Sequence, residues 1–297
     1  MASWQCKVLC WVMRGLRGTV RLVNFQDVKK TRALFANVAK FCKISSTIKI
    51  NKFKIGNMPA VWVVPSEPTD KVIFYLHGGA YLIGSIDSYL HLLAQIAEAS
   101  GARVFAIDYR LAPEHPFPAA LDDAKNAYLW LLTENIPPKN LIVMGDSAGG
   151  GLALALTIAL RDENLAMPSA VVCMSPWVDL ALTGETMITK AKSDPIVSRE
   201  LAEKAVKFYL KNMDEKLPLA SPLYADLKGL PSLMIQVGTL EILLSDAQRL
   251  ADKAKMSGAQ VDLDIWENMP HVWQFFAGFV PEGKEAIQRI GHFIRNS

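Results

Sequence analysis

Leu141-Ile142-Val143-Met144-Gly145-Asp146-Ser147-Ala148-Gly149-Gly150 sets four apolar residues ahead of a Gly-x-Ser-x-Gly turn, and residues 151–160 carry the chain on as an apolar run. A short unbroken apolar run reads as a strand buried on both faces, and the longer one as a buried helix. Glycines at 145 and 149 let strand and helix pass close together while Ser147 takes the sharp turn between them. Such a turn holds a hydroxyl clear of the sheet edge, at a helix N-terminus whose amides favour negative charge. Ser147 is therefore read as a nucleophile in a strand–turn–helix setting.

The same alternation extends outward in both directions. Strands are predicted over 46–51 and 60–65, joined by a hairpin-like turn at Gly56-Asn57, then over 71–76, 103–107, 141–144, 170–174, 233–237 and 261–266. Helices are predicted over 89–99, 119–133, 150–161, 244–255 and 284–296. Strands alternating with helices give an α/β fold, a mostly parallel eight-stranded central sheet flanked by helices. One stretch, 175–232, breaks the alternation and contains a helix over 198–211 begun at Ser198. It is read as a cap insertion, at about 180–220, working with an N-terminal helical cap segment over 1–45; a further helix is expected over 26–39. Residues 46–297 then form the catalytic domain.

The 297 residues are 51% hydrophobic and 21% charged, enough apolar side chain for a large core and against disorder. With 32 basic and 29 acidic residues the net charge is +3, which gives no reason to expect nucleic acid as a partner. Cys6, Cys10, Cys42 and Cys173 follow neither a metal nor a disulfide spacing, so free thiols in a reducing cytoplasm are expected. No run reaches the length of a membrane span. On a helical wheel the first 23 residues separate Lys7, Arg14, Arg17 and Arg21 from Trp4, Val8, Leu9, Trp11, Val12, Met13, Leu16, Val20, Leu22 and Val23. The reading adopted is that this apolar face packs on the rest of the protein; contact with a membrane surface is the alternative.

A nucleophilic serine needs a base, and the base an acid. Of His77, His91, His115, His271 and His292, His271 follows the last predicted strand, on the carboxyl edge where Ser147 projects. The acid is expected after the strand over 233–237; Glu241 lies nearest the strand end, with Asp246 as runner-up. The order Ser147, Glu241, His271 is that of the α/β-hydrolase arrangement. Donors for a developing oxyanion are expected from the amides of Gly78, Gly79 and Ala148, with His77 holding its loop.

His77-Gly78-Gly79-Ala80-Tyr81, Asp108-Tyr109-Arg110-Leu111-Ala112-Pro113-Glu114, Gly145-Asp146-Ser147-Ala148-Gly149-Gly150 and Ser193-Asp194-Pro195 together resemble the hormone-sensitive-lipase-like branch of the α/β-hydrolases. The resemblance implies a carboxylesterase with a helical cap, no metal and no cofactor, and short- to medium-chain esters as substrates. It assigns Ser147 as nucleophile, His271 as base, and Gly78, Gly79 and Ala148 as oxyanion donors. Most relatives carry Asp where Glu241 stands, and Ala80 replaces a third glycine. Asp108, Arg110 and Glu114 match a bracing segment. The resemblance further implies a homodimer that pairs the last strands, over 261–266, edge to edge. Trp4, Trp11, Met13, Phe208 and Tyr209 are candidates to line a pocket under the cap.

Overall fold

The computed structural model describes residues 2–21, 28, 30–33 and 44–297, without the side chains of 16–21. The expected helix over 26–39 falls largely outside these residues, as does Cys42. The apolar runs form β1 (Lys49–Ile55), β2 (Met58–Val64), β3 (Val72–Leu76), β4 (Arg103–Ile107), β5 (Leu141–Asp146), β6 (Ala170–Met174), β7 (Ser232–Gly238) and β8 (Val261–Trp266). They make one eight-stranded sheet in the order β1-β2-β4-β3-β5-β6-β7-β8. β1 and β2 form the hairpin across Gly56-Asn57, β2 runs antiparallel to β4, and every pairing from β4 to β8 is parallel.

Two layers of helix cover the sheet. On one face, α2 (Ile86–Ser100) and the last helix (Pro281–Asn296, numbered α8 in chain order) pack Leu92, Leu93, Ile96, Ile290 and Ile294 against Ile73, Tyr75, Ile142 and Val172. On the other face lie α3 (Ala119–Thr133), α4 (Ala148–Asp162) and α7 (Leu244–Met256). α4 is buried at every position from Ala148 to Leu160, so its lack of a polar face follows from its place at the centre of the molecule. α2 is fixed at both ends, by a capping box between Ser85 and Ser88 and by Gly101 at φ 70°.

Between β6 and β7 the chain forms α5 (Thr186–Thr189) and α6 (Arg199–Leu210), the latter capped by the Ser198 hydroxyl accepting from the Leu201 amide. α1 (Trp4–Arg21) packs by Cys6, Leu9 and Cys10 against Met269, Trp273, Val280 and Ala286. The expectation that the apolar arc packs on the rest of the protein is corrected: of its described side chains only Leu9 and the half-buried Met13 join the core cluster, beside Cys6 and Cys10, which lie outside the arc. Cys6, Leu9 and Cys10 turn inward, while Trp4 (66% exposed), Val8, Trp11 (75% exposed) and Val12 face outward. The expectation that Trp4 and Trp11 line a pocket is corrected by this orientation. Cys6, Cys10 and Cys173 are free thiols.

Candidate active site

Ser147 leaves β5 at φ 52°, ψ −122°, a strained backbone for a residue with a Cβ, typically costing ~1–3 kcal/mol. The end of β6 and the chain after it hold it there: its amide donates to the Met174 carbonyl at 2.8 Å, and its carbonyl accepts from the Trp177 amide at 2.9 Å. A Cβ on Gly145 would stand 2.3 Å from the Gly149 oxygen, and one on Gly149 2.0 Å from the Leu76 oxygen. The two glycines of the motif are therefore dictated by backbone crossing backbone.

His271, in the loop after β8, places Nε2 2.9 Å from Ser147 Oγ and Nδ1 2.7 Å from Glu241 Oε2. Glu241 sits in the turn after β7 with no exposed surface. Its Oε1 accepts from the Gly238 amide at 2.6 Å and from the Ser175 hydroxyl at 2.8 Å. Ser175 Oγ in turn accepts from the Val272 amide at 3.1 Å, which links the acid to the His271 loop a second time. Burial pulls the His271 imidazole down, but the Glu241 hydrogen bond and charge, with Asp194 and Asp146 beyond, outweigh it and raise the pKa above the ordinary value. With Nδ1–H donating to the carboxylate, Nε2 is left to accept the serine proton.

Asp246, the alternative acid, lies in the first turn of α7 and does not reach His271. Its Oδ2 accepts from the amides of Val178 and Asp179 at 3.3 and 3.1 Å, bracing the chain after β6. Burial, with the Asp179 charge beside it, pushes its carboxyl up to about 8.

The loop after β3 requires one correction. The Gly78 amide donates to Asp146 Oδ1 at 2.8 Å, so it is spent inside the protein and is not available to an oxyanion. Asp146 also accepts from Tyr75 Oη at 2.7 Å and Tyr89 Oη at 2.9 Å. No acceptor among the described residues takes the amides of Gly79, Ala80 or Ala148. Gly79 adopts φ 111°, and a Cβ there would meet the Ile83 oxygen at 2.3 Å. His77 does hold this loop. Its Nδ1 donates to the Gly78 carbonyl at 2.7 Å, its ring stacks on Tyr109 at 4.3 Å, and burial lowers its pKa to about 4, leaving it neutral.

Three residues with supporting parts escaped the sequence reading. Asp146 organises the loop after β3 from inside the serine motif, Ser175 steadies Glu241, and Asp194 accepts from the amides of Ile196, Val197 and Ile242. The signal for Ser175 was its position, one residue past a predicted strand and on the same sheet edge as Ser147. The bracing segment is intact. Arg110 clamps Asp123 at 2.8 Å, Asp108 Oδ1 accepts from the Ile86 amide, and Glu114 pairs with Arg32, which also donates to the Leu82 carbonyl. Tyr209 of α6 stacks on Tyr81 at 3.8 Å, bringing α6 against the loop after β3.

Comparison with known proteins gives this geometry its family. Residues 73–275 match the family model described as an alpha/beta hydrolase fold. An acetyl-hydrolase of Streptomyces hygroscopicus is 42% identical over 243 residues, covering 82% of this chain and 81% of its own. The crystal structure of an esterase from the bacterial hormone-sensitive lipase family superposes with a TM-score of 0.95 at 42% identity, over 100% of this chain and 99% of that one. EstE5, in crystals soaked with p-nitrophenyl butyrate, superposes with a TM-score of 0.91 at 38% identity over 99% of both chains. The chain belongs to the α/β-hydrolase family, among the bacterial hormone-sensitive-lipase esterases, a branch of serine carboxylic ester hydrolases.

Proposed function

We propose that the protein hydrolyses short- to medium-chain carboxylic esters through a covalent acyl-enzyme on Ser147. The observation that carries this is the unbroken relay from Ser147 Oγ through both ring nitrogens of His271 to Glu241. His271 Nε2 takes the hydroxyl proton as Oγ bonds to the ester carbonyl carbon, and the carbonyl oxygen becomes an oxyanion. Gly79, Ala80 and Ala148 amides receive that charge, Ala80 standing where the sequence pointed to Gly78. The imidazolium, stabilised by Glu241, passes its proton to the departing alcohol as the tetrahedral intermediate collapses to the acyl-serine. Water then attacks the acyl carbon, His271 takes its proton, and the carboxylic acid leaves as the proton returns to Ser147.

A butyryl ester was used with EstE5, and the preference proposed for this chain is centred on acyl groups of that order, with discrimination per methylene of only ~1–3 kcal/mol. The segments over 1–45 and about 180–220 are proposed to form the cap. β8 pairs only with β7 among the described residues, and its free edge is the proposed seam of a homodimer. Initial rates on p-nitrophenyl esters from acetate to palmitate, with Ser147→Ala alongside, test the reading. A maximum at short to medium chains that the variant abolishes is the expected result. Full turnover by folded Ser147→Ala would overturn the scheme.

A further inference from the structure

α1 presents an apolar face that the described residues leave uncovered. Trp4, Val8, Trp11 and Val12 are spaced one and two turns apart and are 66%, 42%, 75% and 41% exposed. Phe279, 51% exposed, extends the patch from the loop before α8, its ring set edge-on to Trp4 at 6.1 Å. Contiguous large apolar side chains on a surface mark an interaction site, unlike single exposed ones.

The helix is not free to roll this face inward. Ser3 gives both its amide and its hydroxyl to the Glu282 carboxylate, at 2.5 and 2.8 Å. Cys6 lies against Met269 at 3.8 Å, and Leu9 and Cys10 are buried beside it. Farther along, Arg14 donates to the Ser193 carbonyl. One side of α1 is thus fixed in the core cluster, and the indoles are held outward.

Charge decides what fits there. α1 carries Lys7, Arg14, Arg17 and Arg21 and no acidic residue, although the whole chain is nearly balanced at +3. Lys7 and Arg14 are exposed along one flank of the tryptophan face. An apolar helix face carrying indoles and edged by cations complements the anionic surface of a lipid bilayer, where tryptophan rings settle at headgroup depth and cations meet phosphate. No helix among the described residues is long and apolar enough to cross a membrane, so such contact lies in the interface plane. We infer that Trp4, Val8, Trp11, Val12 and Phe279, with Lys7 and Arg14, form a docking surface for anionic phospholipid bilayers. The inference is independent of the proposed reaction.

Flotation of the full chain with vesicles of phosphatidylcholine alone, and of phosphatidylcholine mixed with phosphatidylglycerol, tests it. The wild type is expected to rise with the mixed vesicles and stay behind with the neutral ones. Lys7→Gln should weaken that binding about fivefold, and Trp11→Ser by more than that. Both variants should keep wild-type turnover of p-nitrophenyl acetate, which establishes that they are folded. No flotation with either vesicle would overturn the inference, as would equal flotation with both, or binding unmoved by Trp11→Ser. Light scattering that finds a dimer split by Trp11→Ser would give the face to a second copy of the chain, and would also overturn it.

Discussion

Glu241 and Asp246 are two carboxyls five residues apart, both without exposed surface, one in the turn after β7 and the other in the first turn of α7. Glu241 faces an imidazole, a hydroxyl and one amide. Asp246 faces two amides and lies near a second carboxylate, Asp179, which Arg249 pairs at 2.9 Å. Burial disfavours charge on both. In the proposed reaction only Glu241 has a partner whose own charge changes, so its charge can be matched by His271 as the imidazolium forms. Asp246 has no such partner, and its proton stays on to about 8. Burial alone therefore does not mark a catalytic acid; a titrating neighbour does.

Exchanging the two roles is the most direct way to break this comparison. Glu241→Gln is expected to lower kcat by about 10⁴, because an amide can hold the ring but cannot stabilise the imidazolium. Asp246→Asn should leave kcat within a few-fold of wild type. Steady-state rates on one p-nitrophenyl ester decide it, and the reverse pattern would make Asp246 the acid. The pH profile sharpens the same point. His271 must be neutral to accept the serine proton, and Glu241 raises its pKa, so the acidic limb of kcat/KM should lie above the ordinary histidine value. In Glu241→Gln the limb should move to lower pH while the plateau stays low. A limb that does not move would show that Glu241 is not coupled to the titrating group.

Ser175 is the next smaller lever. It holds Oε1 of Glu241 and takes the Val272 amide, so its loss frees the acid to shift while leaving all three proposed catalytic groups in place. A hydrogen bond to a charged group contributes ~1.5–3 kcal/mol, and Ser175→Ala should lower kcat roughly tenfold with KM little changed. A rise in KM alone would instead place Ser175 in substrate binding.

How much of this could be read from the chain follows from what each feature depends on. The strands and the Ser147 turn rest on local patterns, apolar runs and glycines, and they stand in the structure within a few residues of where they were expected. The first strand shows the limit: expected over 46–51, it forms at Lys49–Ile55, because its alternating polar residues at an exposed edge blur its ends. Glu241 was separable from Asp246 only by distance from the strand end, a weak signal that the Ser175 and Gly238 contacts now explain. The loop after β3 misled for a different reason. Gly78 and Gly79 look equivalent in sequence, yet Asp146, 68 residues from Gly78, takes one amide and leaves the other. The helical wheel of α1 likewise misplaced the packed side: Cys6 and Cys10, outside its apolar arc, turn to the core with Leu9. Met269 and Trp273 make that choice, and neither is near in sequence.

The smallest expected effect concerns Asp246 alone and is one of stability. Its folded-state pKa is raised to about 8, first by burial and then by the Asp179 charge. The unfolded carboxyl releases its proton near the ordinary aspartate value. Between those two values the native state therefore holds a proton that the unfolded state has lost. The sign is opposite to that of a salt-bridged aspartate: this contribution is full in acid and is lost as pH rises toward about 8, with a slope of up to about 1.4 kcal/mol per pH unit. Asn carries no proton to lose, and its carbonyl can still accept the Val178 and Asp179 amides. Asp246→Asn should thus sit within about 1 kcal/mol of wild type in acid, below the ordinary aspartate value, as expected for a near-isosteric change that keeps a buried hydrogen bond. It should grow more stable relative to wild type as pH is raised, in urea melts followed across the range. A variant that instead lost ground toward high pH would mean that Asp246 is ionised in the native state, and that it braces the chain after β6 as a charged group.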